Sequence, residues 1–457
     1  MNNKKIGFLE AFSIGVGGMV GGGIFAVLGL TIELSKGAAP IAFAIAGLIA
    51  IVTAYAYAKL SLRYPSEGGT IEFIVQAFGN GIFSSFINTL LLISYVIMLA
   101  LYAYAFGSYG SALFLGSDVG WLHKLLSIVV IIIFTLVNLL GAFMTGKAED
   151  IMVFIKIIIL LVFIYVGFST VNWSHLAPAQ WMPTSSIITG GLMIFLAYEG
   201  FELIANTAKD VKNPERNLPL AFYSSVTFVI FLYIFISIVA VGNVSFEEAK
   251  KAQDYILAIA AEPLFGHAGF ILIGIAAVLS TASAINATIY GSGRTAYVIA
   301  KFGEIPKNFE TRIKHGYEGM IIISLLAIIF TISFDLANIS LAGSLGFLII
   351  FSLVNLANFK MYKETKSSRV ISGFGFLLSI SAVITLITYN FIHHPQSLLT
   401  SLVTIISVII FSILYNYFRL HKTHLSKYID KNLKNKENNF LKLPDKDDDD
   451  EKDSDYL

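Results

Sequence analysis

Three things are absent from this sequence or scarce in it, and each removes a class of function. There is no cysteine, which excludes disulfide bracing, thiolate metal sites and cysteine nucleophiles together. Charge is thin: Asp, Glu, Lys and Arg make up 13% of 457 residues, about half the ~25% of an ordinary soluble domain. The two signs leave a formal net charge of +1, so the chain has no bulk attraction to nucleic acid. The GxxxxGK[ST] loop that cradles ATP phosphates is missing as well. Histidines are scattered except for His393 and His394. No metal or cofactor site is expected, and no nucleophile–base pattern points to an enzyme.

What fills the space is apolar. Hydrophobic residues are 56% of the chain and its mean hydropathy is +0.76. A soluble core of this size cannot hide so much apolar side chain, but a lipid bilayer can. The N-terminus is basic, then apolar, without a small-residue cleavage pattern, and is read as a first transmembrane segment. A span needs roughly 17–25 apolar residues. Stretches free of Asp, Glu, Lys and Arg, divided where Pro and polar residues interrupt them, predict an all-α membrane protein. It has twelve transmembrane helices, centred near 21, 48, 95, 133, 161, 197, 229, 280, 326, 348, 381 and 406. With the N-terminus inside, only Lys36, Lys124, Lys250 and Lys251 fall outside. That bias puts both termini in the cytoplasm of a multi-pass cell-membrane protein. The loop at 243–262 has helical spacing and predicts a short amphipathic helix on the outer face. Residues 1–420 form the membrane domain, and 421–457, basic and then acidic, are expected to be a disordered cytoplasmic tail.

Two predicted spans are unusual. The first holds Gly15, Gly17, Gly18, Gly21, Gly22 and Gly23. Each glycine disfavours helix by about 1 kcal/mol relative to alanine, so the run predicts either a close-packing face or an opened helix. An opened helix would offer N–H groups to an anion such as a carboxylate. The sixth span carries Glu199 and Glu202 around Gly200 in an apolar stretch. Carboxylates at that depth are costly unless paired, protonated or facing water, and both are functional candidates. Interrupted segments at matching positions of two halves point to a transporter binding site. The element order then predicts repeats at about 8–171 and 188–360, with extra helices at 371–418.

These features sit in motifs. GGGIF at 21–25, AYAYAKLSLRYPSEGGTIEFIVQAFG at 54–79, FLAYEGFE at 195–202, KNPERNLP at 212–219 and the segment 280–306 follow one another in order. In this the chain resembles the amino acid–polyamine–organocation transporters from residue 6 to about 420. The resemblance implies the LeuT-like fold of two inverted five-helix repeats. It implies a substrate carboxylate at Gly21, Gly22 and Gly23, with Ile24 following, and an amino group at carbonyls near Phe195, Ala197 and Tyr198, beside Glu199 and Gly200. Tyr95 and Met98 are candidates for the pocket wall. Many relatives have a small or apolar residue where Glu199 stands, which leaves the substrate's charge open.

Lys156 is the one lysine that this topology places inside a span. It can snorkel to the inner interface or face the bundle. Its position resembles the fifth-helix lysine of some proton-coupled relatives, where the ammonium stands in for a sodium ion. The resemblance implies carbonyls of the first helix and Ser280 or Ser283 as its partners, with Glu202 a further candidate in proton coupling. The expected function is secondary transport of amino acids by alternating access, coupled to protons. Alternatives are transport of polyamines or other organic amines, and a nutrient sensor that moves nothing.

Overall fold

In the computed structural model, which describes residues 6–141, 146–313 and 316–440, the first helix stops at the glycines. Helix α1, Phe8–Met19, begins where the Glu10 carboxylate accepts the Gly7 N–H at 3.0 Å. Residues 20–22 form a turn, and α2, Gly23–Ser35, leaves at 45°. Then come α3, Ala39–Arg63, the short α4, Thr70–Phe78, and α5, Ile82–Leu115. They are followed by α6, Gly120–Leu139, and α7, Gly146–Gly167. Helix α8, Thr184–Met193, opens the second broken element. A 3-10 turn at Phe195–Tyr198, an extended Glu199 and Gly200 at φ +115° carry the chain into a 3-10 segment, Phe201–Asp210. This break spans 194–200 and is longer than the single glycine expected from the sequence, because neighbouring side chains take over the hydrogen bonds that the helix gives up.

The second half continues with α9, Pro214–Asn243, the short α10, Phe246–Lys251, and α11, Ile256–Phe265. The expected amphipathic helix at 243–262 is thus two short helices joined by a turn at Gln253–Tyr255. Helix α12, His267–Lys301, is followed by a two-residue hairpin of β1, Arg312–Ile313, and β2, Gly316–Tyr317. The last helices are α13, Glu318–Ser333, α14, Leu336–Lys360, α15, Arg369–His393, and α16, Pro395–Phe440. The sequence reading began the disordered tail at 421, but the backbone continues as helix to Phe440, since no Gly or Pro interrupts it. Residues 441–457 lie outside the described residues.

Among the described residues nine helices are long and apolar enough to cross a bilayer, and the two bent pairs raise that to eleven. The expected count of twelve rests on α13, whose sixteen residues fall just short of the usual span. Burial ranks the helices. The apolar windows of α5 and α14 are 89% and 83% buried, against 22% for α16 and 28% for α7, so the first two form the centre and the others face outward. Lys59, Arg63, Lys209, Lys301, Lys360 and Arg369 stand at helix ends on one side of the bundle, called here the basic end.

A broken helix in an apolar interior must find partners for its freed backbone groups. Here hydroxyls supply them. Ser280 donates to the carbonyls of Val20 (3.1 Å) and Gly21. Ser340 and Ser344 donate to Met193 O at 2.6 and 2.7 Å, and Ser344 Oγ also accepts the Leu196 N–H at 3.1 Å. Tyr233 reaches both breaks, at 2.7 Å from Met19 O and 3.2 Å from Ala197 O.

Candidate functional site

The two breaks meet backbone to backbone. A Cβ built on Gly18 would lie 2.8 Å from Gly200 Cα, and one on Gly23 would lie 2.9 Å from Ala197 Cα. No other residue type permits this approach, and Gly200 also needs its positive φ.

A cavity of about 300 Å3 begins at this crossing. Gly17, Gly18, Glu199, Tyr95, Tyr102 and Ser283 line its inner part, and Glu10 and Ser13 line the part near the start of α1. It therefore runs from the breaks toward the basic end. At its floor Glu199 is buried and lies within hydrogen-bonding reach of Glu202. Glu202 accepts from the Gly200 N–H at 2.8 Å and from Tyr95 OH at 3.2 Å. The break thus orients Glu202 through its own backbone, and α5 fixes it from the other side.

Other predicted residues stand back from the cavity. Gly21, Gly22, Gly23, Ile24, Phe195, Ala197, Tyr198 and Met98 are buried and are not in its wall. The first hydrogen bond of α2 runs from Ala26 N–H to Gly22 O at 2.9 Å. The N–H groups of Gly23, Ile24 and Phe25, as at any helix start, have no acceptor within the helix. Tyr102 stands between them and the cavity: a Cβ on Gly22 would meet the Tyr102 ring, with Cε1 at 3.0 Å. The sequence reading missed Tyr102, yet it follows Tyr95 by seven residues and so shares its helix face.

Lys156 is 5% exposed, and its Nζ donates to Gly17 O at 3.4 Å. It shares a small cavity of about 70 Å3 with Ser280 and Ser283. Ser283 also lines the main cavity, so one residue borders both. Glu202 lines neither this small cavity nor the main one. Among the described residues no three His, Asp or Glu side chains are grouped as a metal site requires.

The end opposite the basic one is sealed. Tyr109 donates to Phe25 O at 3.2 Å and packs edge-on against its ring. Gln253 lies on α2 so closely that a Cβ on Gly29 would be 2.8 Å from Gln253 Cα, and its amide donates to Glu33 at 2.6 Å. Next to it Asp254 accepts from Tyr104 OH at 3.2 Å. Burial first, and then the charge of Asp118, push the Asp254 carboxyl up to about 6.

Residues 6–416 match the family model described as amino acid permease. The chain belongs to this family. Its members are multi-helix secondary transporters of amino acids and organic cations, not enzymes. An uncharacterized protein of Methanocaldococcus jannaschii is 34% identical over 418 residues, covering 91% of this chain and 96% of its own. The inner membrane transport protein YbaT of Escherichia coli is 34% identical over 384 residues, covering 84% and 89%. Among solved structures, a manganese transporter of Eremococcus coleocola superimposes with a TM-score of 0.60 at 14% identity, over 90% of this chain and 94% of that one. That likeness adds the fold alone, an all-α multi-pass transporter.

Proposed function

We propose that the chain carries amino acids by alternating access, driven by protons, with repeats at about 8–171 and 188–360 in inverted five-helix order. Residues 371–418 are the two added helices, and both termini are cytoplasmic, since the basic residues gather at one end. On that orientation the cavity opens inward, and the molecule stands in an inward-facing state.

The observation that carries this reading is the cavity floor. A cavity of about 300 Å3, mostly apolar in its lining, presents Glu199, Tyr95, Tyr102 and Ser283 where two broken helices meet. That volume lies at the lower end of small-ligand sites. The substrate amine is received by Glu199 and by carbonyls at the breaks. Its carboxylate goes to the N–H groups of Gly23 and Ile24 at the start of α2 once the Tyr102 ring swings aside. Lys156 between Gly17 O and the serine hydroxyls is the proton-coupling group: its ammonium holds α7 to α1, and its deprotonation loosens that tie. Glu202, joined to Glu199, passes substrate occupancy to α5 through Tyr95.

The test is labelled amino acid uptake into proteoliposomes under imposed pH or sodium gradients. Wild type should accumulate label with the pH gradient, Lys156→Ala should lose accumulation, and Lys156→Arg should retain exchange only. Accumulation that follows sodium and ignores pH would sink the proton assignment. Equal competition by a carboxylate-blocked analogue would move the substrate to the organic amines.

A further inference from the structure

The loop leaving α12 holds a buried carboxylate that the central site does not use. Glu304 is 1% exposed. Asn88 of α5 donates from Nδ2 to Glu304 Oε2 at 2.7 Å. Ser85, one turn earlier, donates to the Glu304 carbonyl at 3.4 Å, and Asn416 of α16 donates to Ser85 Oγ at 2.9 Å. The remaining oxygens of the pair, Glu304 Oε1 and Asn88 Oδ1, are both buried and both without a hydrogen bond. A buried acceptor left without a donor is expensive, and two on one hydrogen-bonded pair need a common explanation.

One proton supplies it. A carboxylic acid and a primary amide join by two hydrogen bonds in a closed ring, N–H to carboxyl oxygen and O–H to amide oxygen. We infer that Glu304 binds a proton in this conformation and donates it to Asn88 Oδ1, making a proton-operated clasp between the α12 loop and α5. Loss of the proton opens the ring and leaves two acceptors on the pair, which loosens the loop. The clasp lies at the basic end, and it joins the helix that carries Ser280 and Ser283 to the helix that carries Tyr95 and Tyr102. It is a proton site separate from Lys156, and it requires no particular substrate.

The surroundings favour the neutral form. Burial raises the Glu304 carboxyl above its ordinary range. The opposing charge is Arg419 of α16, whose guanidinium is held on the carbonyls of Phe302 and Gly303. Helix α5 offers only the neutral Ser85 and Asn88, and Tyr415 of α16 donates to Ile305 O at 2.8 Å. Lys301 lies over the Tyr297 ring and beside Glu310.

Glu304→Gln places a permanent N–H where the proton would be, giving an amide–amide ring. The experiment follows the apparent Tm of the full chain in detergent from pH 4 to pH 8. A group whose folded value is raised gives its stability below the unfolded value of 4.5 and loses it as pH rises through the folded value. Wild type should therefore match Glu304→Gln at low pH and fall several degrees below it at high pH. Infrared difference spectra of wild type should show a protonated carboxylic C=O band that titrates with the same midpoint and shifts in Asn88→Ala; this readout stands even if Glu304→Gln does not fold. A Tm difference that is constant with pH would overturn the inference. So would a band untouched by Asn88→Ala, or stabilisation by sodium at fixed pH in place of protons.

Discussion

Replacing Gly200 by alanine adds one methyl group at the point where the two broken helices touch. Two separate costs result, and two further glycines separate them. The first is conformational: Gly200 has φ +115°, and an L-residue held in such a region costs about 1–3 kcal/mol. The second is steric. The new Cβ would lie 2.6 Å from Met19 N and 2.7 Å from Gly18 Cα. These are backbone atoms that cannot rotate away, and overpacking of this kind costs about 1–3 kcal/mol. Gly18→Ala has no positive φ and brings its Cβ to 2.8 Å from Gly200 Cα, so it measures the steric cost alone. Gly116→Ala has φ +74° and nothing within 4 Å, so it measures the conformational cost alone. Gly200→Ala should lower apparent thermal stability by about the sum of the other two, roughly 2–6 kcal/mol. The double variant Gly18→Ala, Gly200→Ala should cost less than its two singles together, because one separation of the breaks relieves both clashes. The assay is the melting temperature of detergent-solubilised protein followed by fluorescence-detected size exclusion. Gly200→Ala melting no lower than Gly116→Ala would refute the claim that the breaks are in backbone contact.

Other expectations follow from single contacts. Tyr233→Phe removes the donor shared by Met19 O and Ala197 O, at about 1–3 kcal/mol for the acceptors left unpaired; an unchanged melting temperature would show that water replaces it. Gly22→Val would drive its side chain into the Tyr102 ring and Thr281, and is expected to express but lose most of the ligand-induced thermal shift. An undiminished shift would return the glycine run to simple packing. Asp254 is raised from 3.8 to about 6, so its contribution is complete below pH 3.8 and is lost as pH rises through about 6, on the order of 3 kcal/mol. Asp254→Asn should therefore slow hydrogen exchange at residues 246–265 at pH 7 and leave it unchanged at pH 4; equal exchange at pH 7 would count against this.

The breaks were legible because they violate their surroundings. Three consecutive glycines and two carboxylates in apolar runs stand out from sequence alone, and Lys156 stood out for the same reason. What satisfies the breaks was not legible. Ser280, Ser340, Ser344 and Tyr233 are single hydroxyls in apolar helices, the commonest polar residues that a span tolerates. Their role appears only when the fold places them against carbonyls at 19–21, 193 and 197. Tyr102 could have been found from its seven-residue spacing to Tyr95. Asn88 and Glu304 lie 216 residues apart, and no local pattern joins them. The expected carboxylate receivers, Gly21, Gly22 and Gly23, came from the family resemblance together with helix-start chemistry, and neither says anything of the Tyr102 ring that packs against Gly22.

The contacts at the two ends of the molecule differ in kind, and this bears on how the proposed alternating-access cycle would run. At the sealed end, Gln253 rests on Gly29 through backbone atoms, a contact that is either made or absent. Its neighbour Asp254 faces Tyr104 and the Asp118 charge, so the strength of that seal varies with pH. At the basic end, Glu67 bridges Lys209 and Arg294 at 2.8 and 3.0 Å on half-exposed side chains, where each pair contributes about 0–1 kcal/mol. The surface ties there are weak, while the seal opposite combines the Gln253–Gly29 backbone contact with the Tyr109–Phe25, Gln253–Glu33 and Tyr104–Asp254 hydrogen bonds. In that cycle, opening the sealed end would separate Gln253 from Gly29 and Glu33 of α2. In the proposed cycle the energy for that step must come from ligand or proton binding that differs between the two states, the role proposed for the carboxyl pair at Glu199 and Glu202.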